Sequence, residues 1–117
     1  MKMLLTLTLL SLTMILSHAA IPIKASDMAG IYGKGTKTDV GRVYTQNEIT
    51  ITTHRSFYDL TSIVYTRAHP FSELEIPALL KPLGAGEEWK KKGNNTWVLE
   101  KAKCTAVWDG AGKITVQ

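Results

Sequence analysis

Several residue groups in this sequence have types and spacings that could do chemistry. Glu73 and Glu75 form one close carboxylate pair, and Glu87 and Glu88 another. Glycoside hydrolysis uses two carboxylates, but at a set separation across a cleft, which neighbours in a loop do not supply. His69 stands near Glu73 and Glu75, so three donors lie in one short stretch. A metal centre needs convergent ligands and ordinarily more than one histidine. His54, Ser56, Asp59 and Cys104 are the ingredients of a nucleophilic site, yet no nucleophile motif surrounds any of them. The run Gly30-Ile31-Tyr32-Gly33-Lys34-Gly35-Thr36-Lys37 has the glycine content of a phosphate loop. Its order after Gly35 is Thr-Lys, and no helical period follows, as that motif requires. The expectation is a protein that is not an enzyme, with no catalytic residue, no metal ligands and no cofactor.

Binding chemistry is better represented. Lys90, Lys91 and Lys92 lie beside Trp89 and Trp97, with Lys101 and Lys103 further on. Basic residues interleaved with aromatics can hold single-stranded nucleic acid or an anionic polymer. The plainer reading is a solvated hairpin whose lysines keep a strand edge from pairing, so nucleic acid is not the expected partner. Trp97 and Trp108 fall at inward-facing positions of alternating stretches and read as core. Trp89 follows the glycine turn Ala85-Gly86-Glu87-Glu88 and reads as exposed, the position of an interface anchor. Gly86, Glu87, Glu88 and Trp89 therefore make the candidate interaction loop, and Lys90, Lys91 and Lys92 a candidate basic patch.

Ala85-Gly86-Glu87-Glu88-Trp89 loosely resembles the Ser-Gly-x-x-Tyr loop of exported bacterial inhibitors of C-type lysozyme. Here Ala stands in place of Ser and Trp in place of Tyr, and the paired cysteines common in that family are missing. The resemblance covers five residues. It implies a small exported eight-stranded barrel that inserts this loop into an enzyme cleft.

The elements that must position these residues follow from composition and periodicity. The chain has 117 residues, 44% of them hydrophobic, with 14 Lys+Arg against 10 Asp+Glu and one cysteine. That suits one domain, and is too apolar for a disordered chain. A single cysteine excludes a disulfide-stapled miniprotein. Met1-Lys2, the uncharged run Met3 to Leu16 and the small residues of Ser17-His18-Ala19 have the three-part plan of a secretory signal peptide. The apolar run is shorter than the roughly 20 residues a membrane span needs. Residues 1–19 are thus expected to be cleaved, leaving 20–117 as one exported β-rich domain, periplasmic or extracellular, with no transmembrane anchor.

Residues 21–26 read as a leader, and 29–41 as a mobile loop or glycine-kinked strand. Glu48 to Thr53 alternates, with Ile49 and Ile51 on one face. Phe57 to Thr66 has apolar residues on both faces and reads as a central strand beginning at Phe57. Pro70 to Leu83 reads as a connection with one helical turn after Pro77. Thr96 to Lys101, Cys104 to Trp108, and Ile114 with Val116 read as a meander, turned at Gly93-Asn94-Asn95 and at Asp109-Gly110-Ala111-Gly112.

The fold class is all-β: a small antiparallel barrel or sandwich of six to eight strands in meander order. The expected function is that of a non-enzymatic binding protein whose partner is another protein: an inhibitor, immunity or envelope protein. The alternative is a lipocalin-like carrier of a small apolar ligand in the barrel interior. In a domain of this size side chains ordinarily fill that interior.

Overall fold

Two four-stranded meanders join edge to edge into one antiparallel sheet in the computed structural model, which describes residues 21–117. The expected signal peptide lies outside the described residues. The strands are β1 (Thr36–Lys37), β2 (Gly41–Gln46), β3 (Ile49–Ser56), β4 (Asp59–Thr66), β5 (Lys90–Lys91), β6 (Thr96–Leu99), β7 (Cys104–Trp108) and β8 (Lys113–Val116). Their order is β1-β2-β3-β4-β8-β7-β6-β5, so all-β architecture with eight strands stands as expected. The two-residue strands β1 and β5 end the sheet. Short edge strands limit pairing with other chains, and β5 consists of two lysines, which limits it further.

Alternation sets the register of each meander. Ile49, Ile51 and Thr53 of β3 are buried, as are Trp97 and Leu99 of β6, Cys104 and Ala106 of β7, and Ile114 and Val116 of β8. A slip of one residue would turn every one of these outward. The β2–β3 hairpin turns on Asn47 and Glu48, both at positive φ, 49° and 68°. That pair of left-handed residues matches the twist of the flanking strands.

Strand β4 departs from the expected phase. Phe57 and Tyr58 are not its first residues but the two-residue turn between β3 and β4, with Ser56 paired to Asp59. The pairing then shifts between His54 and Arg55, so that Leu60 faces Arg55 while Ser62 faces His54. This bulge inserts one residue and changes the parity of β4. Leu60, Ile63 and Tyr65 are consequently all buried, although simple alternation puts Leu60 opposite the other two.

The N-terminal stretch is also corrected. Ile21 and Ile23 are buried rather than leading into the fold. A 3-10 turn at Ala25–Asp27 precedes helix α1 (Met28–Tyr32), whose Met28 and Tyr32 are buried too. The segment is tied to the β3–β4 turn through Ala25 N–H donating to Tyr58 O at 3.1 Å and through Lys24 Nζ to Asp59 Oδ1 at 2.8 Å. Tyr32 reaches the centre of the sheet, where its hydroxyl shares a hydrogen bond of 2.7 Å with that of Tyr65. Burial of each such side chain is worth about 1.5–3 kcal/mol, which outweighs the weak local propensity of a glycine-rich stretch.

Helix α2 (Ile76–Leu80) is the turn expected after Pro77, and a 3-10 turn at Lys81–Gly84 extends it. Pro77 sits in its first turn, where the missing N–H costs nothing. Ile76, Leu80 and Leu83 are fully buried against the sheet.

Candidate functional site

The loop 85–89 leaves the 3-10 turn through two left-handed residues, Ala85 at φ 49° and Gly86 at φ 92°. The reversal is closed by Glu87 N–H donating to Gly84 O at 2.9 Å. Glu87 Oε2 accepts from Lys101 N–H at 2.9 Å, pinning the loop to the β6–β7 turn. Glu88 remains exposed. Between this loop and α2 lies an open groove of about 540 Å3. Pro77, Ala78 and Lys81 form one wall, and Gly86, Glu87, Glu88 and Trp89 the other.

Trp89 corrects the expected anchor. It is 9% exposed, and its indole N–H donates to Leu80 O at 2.8 Å. Leu80 lies where α2 passes into the 3-10 turn, and the indole bond ties its carbonyl to the loop 85–89. The ring therefore belongs to the core and shows the groove only its edge. Trp108, expected deeper, is the more accessible of the two and donates to Ala111 O at 2.7 Å. Trp97 is buried as expected.

The candidate basic patch is engaged within the protein. Lys90 and Lys92 lie 3.8 and 3.1 Å from the Glu100 carboxylate. Lys91 pairs with Glu73 and stands 5.7 Å over the Trp97 ring. The two lysines hold the Glu100 carboxyl below its usual range, chiefly through the Lys92 hydrogen bond.

The residues that could have formed a hydrolytic or metal centre are dispersed. Glu75 pairs with Arg67, Glu73 with Lys91, and His69 Nδ1 is 3.9 Å from Glu48. His54 Nδ1 is 2.9 Å from Ser62 Oγ, while Asp59 is taken by Lys24. Cys104 is fully buried, and burial pushes its thiol up to about 11. Among the described residues no three His, Cys, Asp or Glu side chains come together.

Large side chains fill the inner face of the sheet. Tyr44, Ile51, Leu60, Ile63, Tyr65, Leu99 and Ile114 are all buried there. No helix among the described residues is long and apolar enough to cross a membrane.

The second wall of the groove was not singled out from the sequence. Its signal is the short separation between Pro77-Ala78 and the reversal at Ala85-Gly86, which forces the two walls to face one another. No family model, curated protein or solved structure matches the chain.

Proposed function

We propose that this is an exported, non-catalytic binding protein whose partner is another protein, met at the groove between α2 and the loop 85–88. The groove itself carries the reading. Its lining is mixed, with Lys81 on one wall and Glu88 on the other, and with apolar surface from Pro77, Ala78 and Trp89 between the charges. Such a lining suits an inserted side chain, and the two charges fix its orientation. The walls are held by a proline-started helix and by a loop pinned through Glu87, so little ordering is needed on binding. The filled inner face of the sheet favours this reading over a carrier of small apolar ligands.

A photo-crosslinking residue placed at Glu88 tests it in extracts of the cell envelope and in purified C-type lysozyme, the partner class suggested by the loop's resemblance. A discrete protein adduct that disappears on Ala78→Arg, which fills the groove, is the expected result. Adduct formation unchanged by A78R, or equal at the remote position Lys113, would overturn the groove as the binding site.

A further inference from the structure

The other end of the molecule carries a chemistry that the groove does not use. In β2, Arg42 precedes Tyr44 by two residues and so shares its inward face; in β3, Arg55 continues the inward series Ile49, Ile51, Thr53. Tyr44 is buried, whereas Arg42 and Arg55 are exposed. The inner face continues there as an open cleft of about 410 Å3, lined by Lys34, Arg42, Arg55, Tyr44 and Tyr58 among others. No carboxylate is among its lining residues.

Among the described residues no carboxylate neutralises these cations: none of Lys34, Arg42 and Arg55 has an ion-pair partner there. Two acids at this end are already engaged, Asp59 by Lys24 Nζ and Asp27 by Lys24 N–H at 2.9 Å. Asp39 stands in the β1–β2 turn outside the cleft lining. The backbone of Arg42 is fixed on both sides: its N–H donates to Thr53 Oγ1 at 3.1 Å, and its carbonyl accepts from that hydroxyl at 3.0 Å. Among the described residues the Arg42 guanidinium reaches only Gly35 O, at 3.5 Å. Two arginines without a carboxylate partner thus stand beside a lysine as a field open to an oxyanion, and guanidinium forks match phosphate oxygens.

The rim of the cleft supplies the second observation. Phe57 is 87% exposed, Tyr58 80% and Val40 52%, although each is a large hydrophobic residue. They share one end of the sheet, since Arg55 N–H donates to Val40 O at 2.9 Å and so ties the β1–β2 turn to the β3–β4 turn. Phe57 is moreover at φ 58°, a conformation that suits Gly or Asn and strains a bulky side chain. A strained aromatic left this exposed among the described residues points to a contact outside them.

We propose that this end docks on an anionic phospholipid surface. A lipid phosphate enters the cleft among Lys34, Arg42 and Arg55, while Phe57, Tyr58 and Val40 enter the headgroup layer beside it. Aromatic rings favour that depth, and cations beside them are drawn to the negative surface. Lys90, Lys91 and Lys92 are equally basic but are held by Glu73 and Glu100, so they take no part.

Cosedimentation of the full chain with mixed phosphatidylglycerol–phosphatidylcholine vesicles, against phosphatidylcholine alone, tests the proposal. The apolar run Met3 to Leu16 is common to all variants, so differences between variants report the docking end. Arg42→Gln with Arg55→Gln is expected to weaken binding to the anionic vesicles by about 25-fold, from roughly fivefold per cation. Phe57→Ser is expected to weaken it severalfold, and Lys90→Gln with Lys92→Gln to leave it unchanged. All three side-chain sets are exposed, and unaltered circular dichroism verifies that the variants fold. Absence of preference for phosphatidylglycerol, or equal loss with the Lys90 and Lys92 double variant, would overturn the proposal. So would binding of soluble glycerol phosphate at Arg42 and Arg55 without vesicle binding, which would make the cleft a site for a free organophosphate.

Discussion

Arg67 and Glu75 are joined by a two-pronged ion pair, Nη1 to Oε1 at 2.6 Å and Nη2 to Oε2 at 3.0 Å. Ser72 adds its N–H and hydroxyl to Oε2 at 2.8 and 3.0 Å. The same guanidinium lies 4.2 Å over the Phe71 ring and donates to Pro70 O at 2.9 Å. One arginine at the end of β4 thereby organises the connection that places α2, and with it one wall of the groove.

The pair has a defined pH signature. The Arg67 hydrogen bond, and after it the Ser72 N–H, lower the Glu75 carboxyl from 4.5 to about 2. A carboxyl that is more acidic folded than unfolded contributes stability that is complete above the unfolded value. That contribution is lost as pH falls toward the folded one. Wild type and Glu75→Gln should therefore differ most in unfolding midpoint near neutral pH, and converge between pH 4.5 and about 2. A constant gap across that range would show that the pair is not what Glu75 contributes.

The Tyr32–Tyr65 hydroxyl pair connects α1 to the centre of the sheet. Burial raises both phenols above their usual range, Tyr65 strongly. Removing one hydroxyl leaves the other buried without its partner, a loss of about 1–3 kcal/mol, whereas removing both restores balance. Tyr32→Phe alone should thus be less stable than the double variant with Tyr65→Phe. Strictly additive losses in a double-mutant cycle would contradict the pairing. Because the folded pKa values are raised, the pair stabilises fully below the unfolded value near 10 and loses its contribution as pH rises beyond it.

Cys104 faces inward between β6 and β8 and is fully buried. With its thiol pushed up to about 11, it carries almost no thiolate at neutral pH. A thiol-reactive probe should label it only after denaturation. Rapid labelling of the native protein would mean that β7 opens locally or lies one residue out of phase.

What was legible in the sequence was what period-two alternation controls. Ile49-Thr50-Ile51 and Thr96 to Leu99 show their buried faces directly, and the turn residues Asn95 and Gly110 sit at positive φ where composition places them. The phase of β4 was not legible, because the bulge opposite His54 and Arg55 is a property of pairing rather than of either strand. The N-terminal segment was missed for a related reason. Ile21, Ile23, Met28 and Tyr32 have no regular period, and only the open inner face of the sheet makes them core. Trp89 was misplaced because its environment is Leu80 O and Gly84 on the preceding turn, which adjacent sequence does not reveal.

Gly41 marks a close approach within the sheet. A Cβ there would stand 1.9 Å from Thr53 O, a backbone atom with no freedom to move aside. Gly41→Ala should force β2 away from β3 and cost about 2–3 kcal/mol, at the upper end of overpacking losses. It should also disturb Arg42, whose backbone is bonded to Thr53. Gly30→Ala, where the space around the new methyl is open, is the matched control and should leave the midpoint nearly unchanged.

Trp89 separates a structural from an interface role in one experiment. Its ring is buried beside Gly84 and Leu99, and its N–H satisfies Leu80 O. Trp89→Ala should therefore destabilise the protein by about 3–5 kcal/mol, the loss typical of a large aromatic in a core. For a domain of this size that corresponds to a fall in melting temperature of more than about 12 °C. Trp89→Phe keeps most of the packing and loses only the indole hydrogen bond to Leu80 O, so its loss should be smaller, about 0.5–1.5 kcal/mol. Far-ultraviolet circular dichroism follows both transitions without interference from Trp97 and Trp108 fluorescence. If Trp89→Ala left the midpoint unchanged yet abolished crosslinking from position 88, the indole would have to leave the core to meet the partner, and the groove would be the closed form of a larger site. Loss of stability with crosslinking preserved in Trp89→Phe is the outcome that the packed indole requires.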